Sequence, residues 1–403
     1  MKNGPLSGLR VIDIGMILAG PLVSANLGDL GADIIKIELP RGDEFRKVGR
    51  QKNDKGLWWR VTSRNKRLLA LDVSKTQGAE IFKRLAKNAD IVIENFRPQR
   101  MDKWGLSYSE LSKINPGLIM LHISGYGQSG PYVDRPGLGT LAEAMSGFSF
   151  GTGEENGPPT LPQYPIADTV TAMIGAYSVL AAVYAREKNG GIGDEINLNL
   201  FESMISLMGS MIIDYDQLGH LSHRKGNRST WSVPRNAYRT MDDKWVVIAG
   251  AVNSVAMNAF RAIGRDDLAN DPGLATNPQR VERIDECDNA MADWISKHNL
   301  DFVLEHFHKF NVVVGPIYDI SQIVKDPQIK HQGTILDIND EELGSIKLQN
   351  VVPHFTNNPG KIRWAGSPIV GKDTFDILSE LGYSQAEIHE LEKSEIIKTN
   401  SLN

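Results

Sequence analysis

The chain has 403 residues, of which 41% are apolar and 23% charged, the composition of a globular protein long enough for two or three domains. Its net charge of -5 and pI near 6.0 argue against a general nucleic-acid binder. One cysteine, Cys287, excludes an intrachain disulfide and fits a reducing, cytoplasmic setting.

The opening residues, MKNGPLSGLRVIDIG, contain no long apolar stretch and are not expected to act as a secretory signal. Leu9–Gly15 reads as a buried strand. Residues 20–31 follow as a helix, opened by Gly20-Pro21 and stopped by Gly31, and Ala32–Glu38 is a second strand halted by Pro40. Ser74 is expected to cap a helix over 75–88. Asp90–Glu94 is a third strand and Leu118–Ser124 a fourth. Apolar strands alternating with helices predict an α/β fold, a Rossmann-like parallel sheet covered on both faces. Ligands in such sheets bind beyond the carboxyl ends of the strands, so the loops at 15–20, 38–46, 95–104 and 125–140 are candidate site loops.

A long helix is predicted over 168–187. It is interrupted by Thr, Gly, Ser and Tyr and ends in Arg186-Glu187-Lys188, which marks a buried helix rather than a membrane span. A strand, Asp194–Leu200, and a helix over 201–217 complete a large domain of residues 1–217. Residues 218–235 are polar and basic and read as a linker. Residues 236–329 form a smaller α+β domain with a strand at Trp245–Ala249. The tail, 330–403, is expected to return to the large domain, with strand-like sequence at 345–352 and helices near 372–382 and 384–394.

Gly125-Tyr126-Gly127-Gln128-Ser129-Gly130 matches the dinucleotide pattern G-x-G-x-x-G after a strand. The pattern requires a helix to begin within the glycines, and Pro131–Gly137 reads as loop. Metal chemistry is not expected: His306 and His308 are two apart, on different helix faces, where zinc needs a spacing of three or four. Cys287 lies in a charged helical stretch with no nearby base in sequence. Basic residues group in three places: Arg41, Arg46, Lys47 and Arg50 after the second strand; Arg64, Lys66 and Arg67 before Leu71-Asp72; and Arg97, Arg100 and Lys103 after the third strand. Such clusters suit a polyanionic, phosphate-bearing ligand. Asp168 stands where the long helix begins, which by position is an N-cap. The same carboxylate could attack an acyl carbon without a general base.

These motifs together resemble the class III (CaiB/BaiF-type) coenzyme A transferases over nearly the whole chain. The carrying segments are Gly8–Asp13, Ala19-Gly20-Pro21, Gly31–Glu38, Asn65-Lys66-Arg67, Glu94–Pro98, Ser124–Pro131, Ala142–Gly147 and the segment around Asp168. The resemblance implies that Asp168 is the nucleophile. It also implies that acyl-CoA is bound as a substrate, with no permanent cofactor, by Leu18, Ala19, Leu71, Asn95, Phe96, Arg97, Lys103, Gly137, Leu138 and Gly139. Arg97 and Lys103 would face phosphates, and Phe96 the adenine. A small carboxylic acid is the implied acceptor, and an interlocked homodimer the implied assembly, with no nucleic-acid or membrane partner. The chain departs from the oxalate-specific members, which carry Gln at Leu18 and Glu at Gly139. It also departs from the related acyl-CoA racemases, which place a catalytic His at Leu138. Two other readings are a 2-methylacyl-CoA racemase or epimerase and a non-catalytic CoA-binding protein.

Overall fold

The computed structural model describes residues 4–229 and 231–400; residues 1–3, Thr230 within the expected linker, and residues 401–403 of the tail lie outside it. The chain divides into two compact units. The larger comprises residues 4–149, 161–220 and 331–400; the smaller comprises 150–160 and 221–330.

The larger unit is built on seven strands. β1 (Arg10–Asp13), β2 (Asp33–Glu38), β3 (Lys66–Leu71), β4 (Ile91–Glu94), β5 (Ile119–Ser124) and β6 (Glu195–Asn199) are parallel, in the order 3-2-1-4-5-6. Ile397–Lys398 pairs antiparallel with β3 at the edge, so the tail does return to this unit. The expected strands are present, and β3 is an addition: the short run Lys66–Leu71 opens with two basic residues, which hide its apolar half. Burial on both faces explains the continuous apolar runs. Ile12, Ile35, Leu69 and Val92 pack on one side with Phe82 and Leu85 of α2 (Thr76–Ala86) and with Ile377 and Ile388 of the tail. Val11, Ile34, Ile93 and Leu121 pack on the other with α1 (Ala19–Asp29) and the long helix described below.

The order matters for function. The chain leaves β1 toward β2 and β3, then crosses back to β4, β5 and β6. The loops after β1 and β4 therefore diverge, opening a crevice at the carboxyl edge where a doubly wound sheet binds its ligand.

Several local expectations are corrected. Ser74 does not cap α2; Lys75 occupies that position, and the Ser74 hydroxyl donates to Asp72 Oδ1 in a local turn. The helix expected over 201–217 is two helices, Leu200–Ile205 and Met211–Leu218, because Gly209 takes a left-handed φ of 56° between them. The smaller unit has a three-stranded antiparallel sheet (Val314–Pro316, Trp245–Ala249, Arg235–Arg239) covered by helices that include Asn253–Ala262, Ile284–Ile295 and Leu300–Lys309. Residues 221–229 and 231–235 belong to it rather than to a free linker. Val233 is fully buried in its core, and Arg228 pairs with Asp288. Its additional segment, 150–160, was not legible as such.

Candidate active site

A buried charge cluster supports the loop after β1. Asp13, at the end of β1, is fully buried and accepts from Ser24 Oγ (2.6 Å) and Lys66 Nζ (2.9 Å) through Oδ2, and from Gly15 N–H (2.9 Å) through Oδ1. Lys36 Nζ donates to the Gly15 carbonyl and pairs with Asp43 at 3.3 Å. Burial alone would raise the Asp13 pKa, but Lys36 and Lys66 together hold it below the usual carboxylate range. Burial pulls the Lys66 ammonium down to about 8. Buried charges persist only when paired this completely.

Across the crevice, the Asn95 side chain clasps the same loop at both poles of one residue. It accepts from Met16 N–H at 2.6 Å and donates to the Met16 carbonyl at 2.8 Å. Ile17, the next residue, has φ 62°, a conformation costing a β-branched side chain on the order of 1–3 kcal/mol. Strain held in place by side-chain bonds on both flanking strands marks a loop whose backbone position matters. The Leu18 side chain turns into a cluster with Phe45, Trp59 and Leu68 and Ala19 is buried against the sheet, so neither lines the cavities at this edge.

Two cavities open at this edge. The first, about 380 Å³, is lined by residues after β1, β2, β3 and β4, among them Met16, Arg41, Leu71, Ser74, Phe96 and Arg100. The second, about 270 Å³, lies between Asn95–Pro98 and the segment Ser124–Leu138, and includes Arg97, Arg135 and Gly137. Leu71 and Phe96 thus line the first cavity; Asn95, Phe96, Arg97, Gly137 and Leu138 line the second. Lys103 is exposed at the end of the short helix Arg100–Lys103 and lines neither.

The three basic clusters separate. Arg41, Arg97 and Arg100 line the cavities with no carboxylate partner among the described residues. Arg46 instead binds Glu38 bidentately and lies 4.1 Å over the Trp59 ring. Arg64 is paired with Asp29, Lys66 with Asp13, and Arg67 with Asp33 and Glu380. The middle cluster is therefore structural. It begins β3, at the edge of the sheet opposite the cavities, and sequence cannot distinguish the two ends of a strand not yet recognised.

The glycine pattern after β5 serves close packing, not a dinucleotide. The first helix after it, α3 (Gly139–Met145), starts nine residues beyond Gly130. A methyl group on Gly125 would lie 2.6 Å from the Gly137 Cα, so the two glycines bring both limbs of the loop together backbone on backbone.

Asp168 stands on the helix α4 (Ile166–Lys188). It is not the cap: Pro165 holds that position without a side-chain bond, and Asp168 is the third helical residue, in the first turn. One stripe of α4, including Ala172, Gly175 and Val179, packs on the sheet. The opposite face leaves Met173, Tyr177 and Tyr184 exposed, so the helix is buried on one side only. The Asp168 Oδ2 rests where a Cβ of Gly139 would be, 2.3 Å from that position. Beside it lies Glu143, one turn further along α3 and only 3% exposed. Glu143 Oε1 accepts from Ala167 N–H at 3.2 Å. Burial, and then the neighbouring Glu143 charge, push the Asp168 carboxyl up to about 6. Glu143 was legible only as part of the Ala142–Gly147 motif; its four-residue spacing from Gly139 was the available signal. Cys287 lies in the smaller unit, where burial pushes its thiol up to about 11, an unreactive setting.

The model of CoA-transferase family III matches residues 6–374. The succinyl-CoA–D-citramalate CoA-transferase of Chloroflexus aurantiacus is 36% identical over 396 residues, covering 98% of each chain. A succinyl-CoA–L-malate CoA-transferase alpha subunit from the same organism is 34% identical over 398 residues, covering 98% of this chain and 92% of that one. Among solved structures, a CaiB/BaiF family protein from Brucella suis superposes with a TM-score of 0.83 at 30% identity, covering 94% of this chain and 100% of that one.

Proposed function

Because this chain belongs to CoA-transferase family III, we propose that Asp168 is the nucleophile that passes coenzyme A from an acyl-CoA donor to a carboxylic acid. The observation that carries this reading is the position of its carboxylate. It sits against Gly139, next to the Gly137-Leu138 wall of a cavity that reaches Asn95–Arg97 at the switch point of the sheet. The Asp168 oxygen attacks the thioester carbonyl and expels CoA thiolate, leaving an aspartyl-acyl anhydride. The thiolate attacks the aspartyl carbonyl and releases the donor acid, forming an aspartyl-CoA thioester. The acceptor carboxylate displaces CoA to give a second anhydride, and the thiolate attacks its acceptor carbonyl. The acceptor leaves as its CoA ester and the Asp168 carboxylate returns. With its carboxyl near 6, Asp168 remains mostly ionised at neutral pH while being more basic than an ordinary aspartate.

The first cavity suits the nucleotide end of CoA, with Arg41 and Arg100 as phosphate partners and Phe96 as an aromatic wall. Arg97 and Arg135 in the second suit an anionic acyl group or acid. Together with the succinyl-CoA relatives, they favour a succinyl-type donor and a small dicarboxylic acceptor. Racemisation would need a second proton carrier near Asp168, and Leu138 cannot be one. The exposed apolar face of α4 and of the helix Met211–Leu218, with Ile212, Ile213 and Leu218, fits burial against a second copy of the chain.

The decisive experiment is borohydride reduction during turnover with succinyl-CoA, followed by peptide mapping. Modification at Asp168 in the wild type and a loss of at least about 10³-fold in kcat for Asp168→Ala are expected. Full activity in that variant overturns the assignment.

A further inference from the structure

Proline at the N-cap of α4 offers no side chain to the free N–H groups of the first turn, yet this turn carries the nucleophile. The group that fills the role comes from another helix. Glu143 of α3 accepts the Ala167 N–H at 3.2 Å, one residue before Asp168, and is buried. Its own backbone carbonyl is fixed in turn by the hydroxyls of Ser149 (3.0 Å) and Ser146 (3.4 Å). The same helix supplies Gly139, on which the Asp168 carboxylate rests. Two acidic side chains therefore share one helix start, one as a remote cap and one as the reacting group.

We propose, resting on the assignment of Asp168 as nucleophile, that Glu143 is a positioning residue whose buried negative charge drives Asp168 toward its acylated, uncharged forms. Acylation and protonation remove the same charge from Asp168. A fixed neighbouring anion favours both, and a repulsion worth one pKa unit favours either by about tenfold. Relief of that repulsion promotes the anhydride and the aspartyl-CoA thioester over the free carboxylate. The other elements packed on α4 carry Asp29 on α1, His122 on β5, Glu195 on β6 and Glu202 on the helix Leu200–Ile205. Among the described residues, Glu143 is the charged group that acts on the Asp168 carboxyl.

The test compares Glu143→Gln, which keeps an oxygen for the Ala167 N–H but removes the charge, with Glu143→Ala, which removes both. Three readouts are needed: the pH profile of kcat/KM, the fraction of enzyme trapped as the Asp168 adduct with succinyl-CoA alone, and thermal unfolding. Glu143→Gln is expected to stay folded, to move the acidic limb of the profile to lower pH, and to reduce the trapped fraction relative to free enzyme by about tenfold per pH unit of that movement. Glu143→Ala is expected to add a loss in kcat from misplacement of the turn, not restored at any pH. If Glu143→Gln folds and labels Asp168 as well as wild type, with an unmoved acidic limb, the inference fails while the nucleophile assignment stands. If the wild type itself labels at another residue, the assignment fails first.

Discussion

Adding one methyl group at Gly139 isolates the placement of Asp168 from its chemistry. In Gly139→Ala the new Cβ would lie 2.3 Å from Asp168 Oδ2, where an ordinary carbon–oxygen contact is roughly 3.3–3.5 Å, so the oxygen must retreat by about 1 Å. The atom in the way ends a rotatable side chain, and the position is the first of a helix, where alanine is favoured over glycine by up to about 1 kcal/mol. That gain offsets part of the roughly 1–3 kcal/mol of overpacking, leaving stability within about 2 kcal/mol of the parent. A displacement of about 1 Å in a reacting group can cost ~100-fold in rate, or about 2.7 kcal/mol at 1.36 kcal/mol per tenfold. Steady-state kcat with succinyl-CoA, read beside the thermal midpoint, is the assay. A loss near two orders of magnitude with a nearly unchanged midpoint is expected. A kcat within twofold of the parent would refute the claim that the carboxylate works from its seat on Gly139.

Two further outcomes follow from the same geometry. Because burial and Glu143 raise the Asp168 carboxyl to about 6 from an unfolded value near 3.9, the folded state binds its proton more tightly, so this group's ionisation opposes folding increasingly as pH rises from about 4 through 6. Asp168→Asn removes that opposition. Its thermal midpoint should exceed the wild type by more at pH 8 than at pH 5, and an equal difference at both would contradict the placement of the charge. Replacing Arg41 or Arg100 by Ala should raise the Kd for CoA about 10–100-fold, from the roughly 1.5–3 kcal/mol of a charged hydrogen bond, with kcat little changed. Calorimetric titration with CoA and with dephospho-CoA shows which arginine faces the ribose phosphate, and unchanged affinities in both variants would move the nucleotide out of this cavity.

The strands β1, β2, β4 and β5 were legible because burial on both faces writes a largely apolar run into each, as in Ile91–Glu94 and Ile119–Ser124, whereas β6 was legible by the alternation of Glu195–Asn199 at the half-exposed edge. Motifs pointed to Asp168, and the parallel sheet followed from the alternation of strands with helices, whereas the strand order is visible only in the fold. What the sequence could not separate was charge that binds from charge that holds. Arg97 and Arg64 look alike as residues, but one lines a cavity and the other is spent on Asp29. Nor could it show that Asn95 clasps Met16 across 79 positions, that Leu18 turns inward, or that a charged cluster lies buried beneath the loop. Glu143 is the sharpest case. One more acidic residue in a helix reads as solvated surface, and only the packing of α3 against α4 sets it beside Asp168. Local sequence determines elements because their periodicity is a local property of the chain. Which carboxylate meets a cation, a free N–H or another carboxylate is decided by contacts between distant segments, and these arise only when the sheet and its helices close.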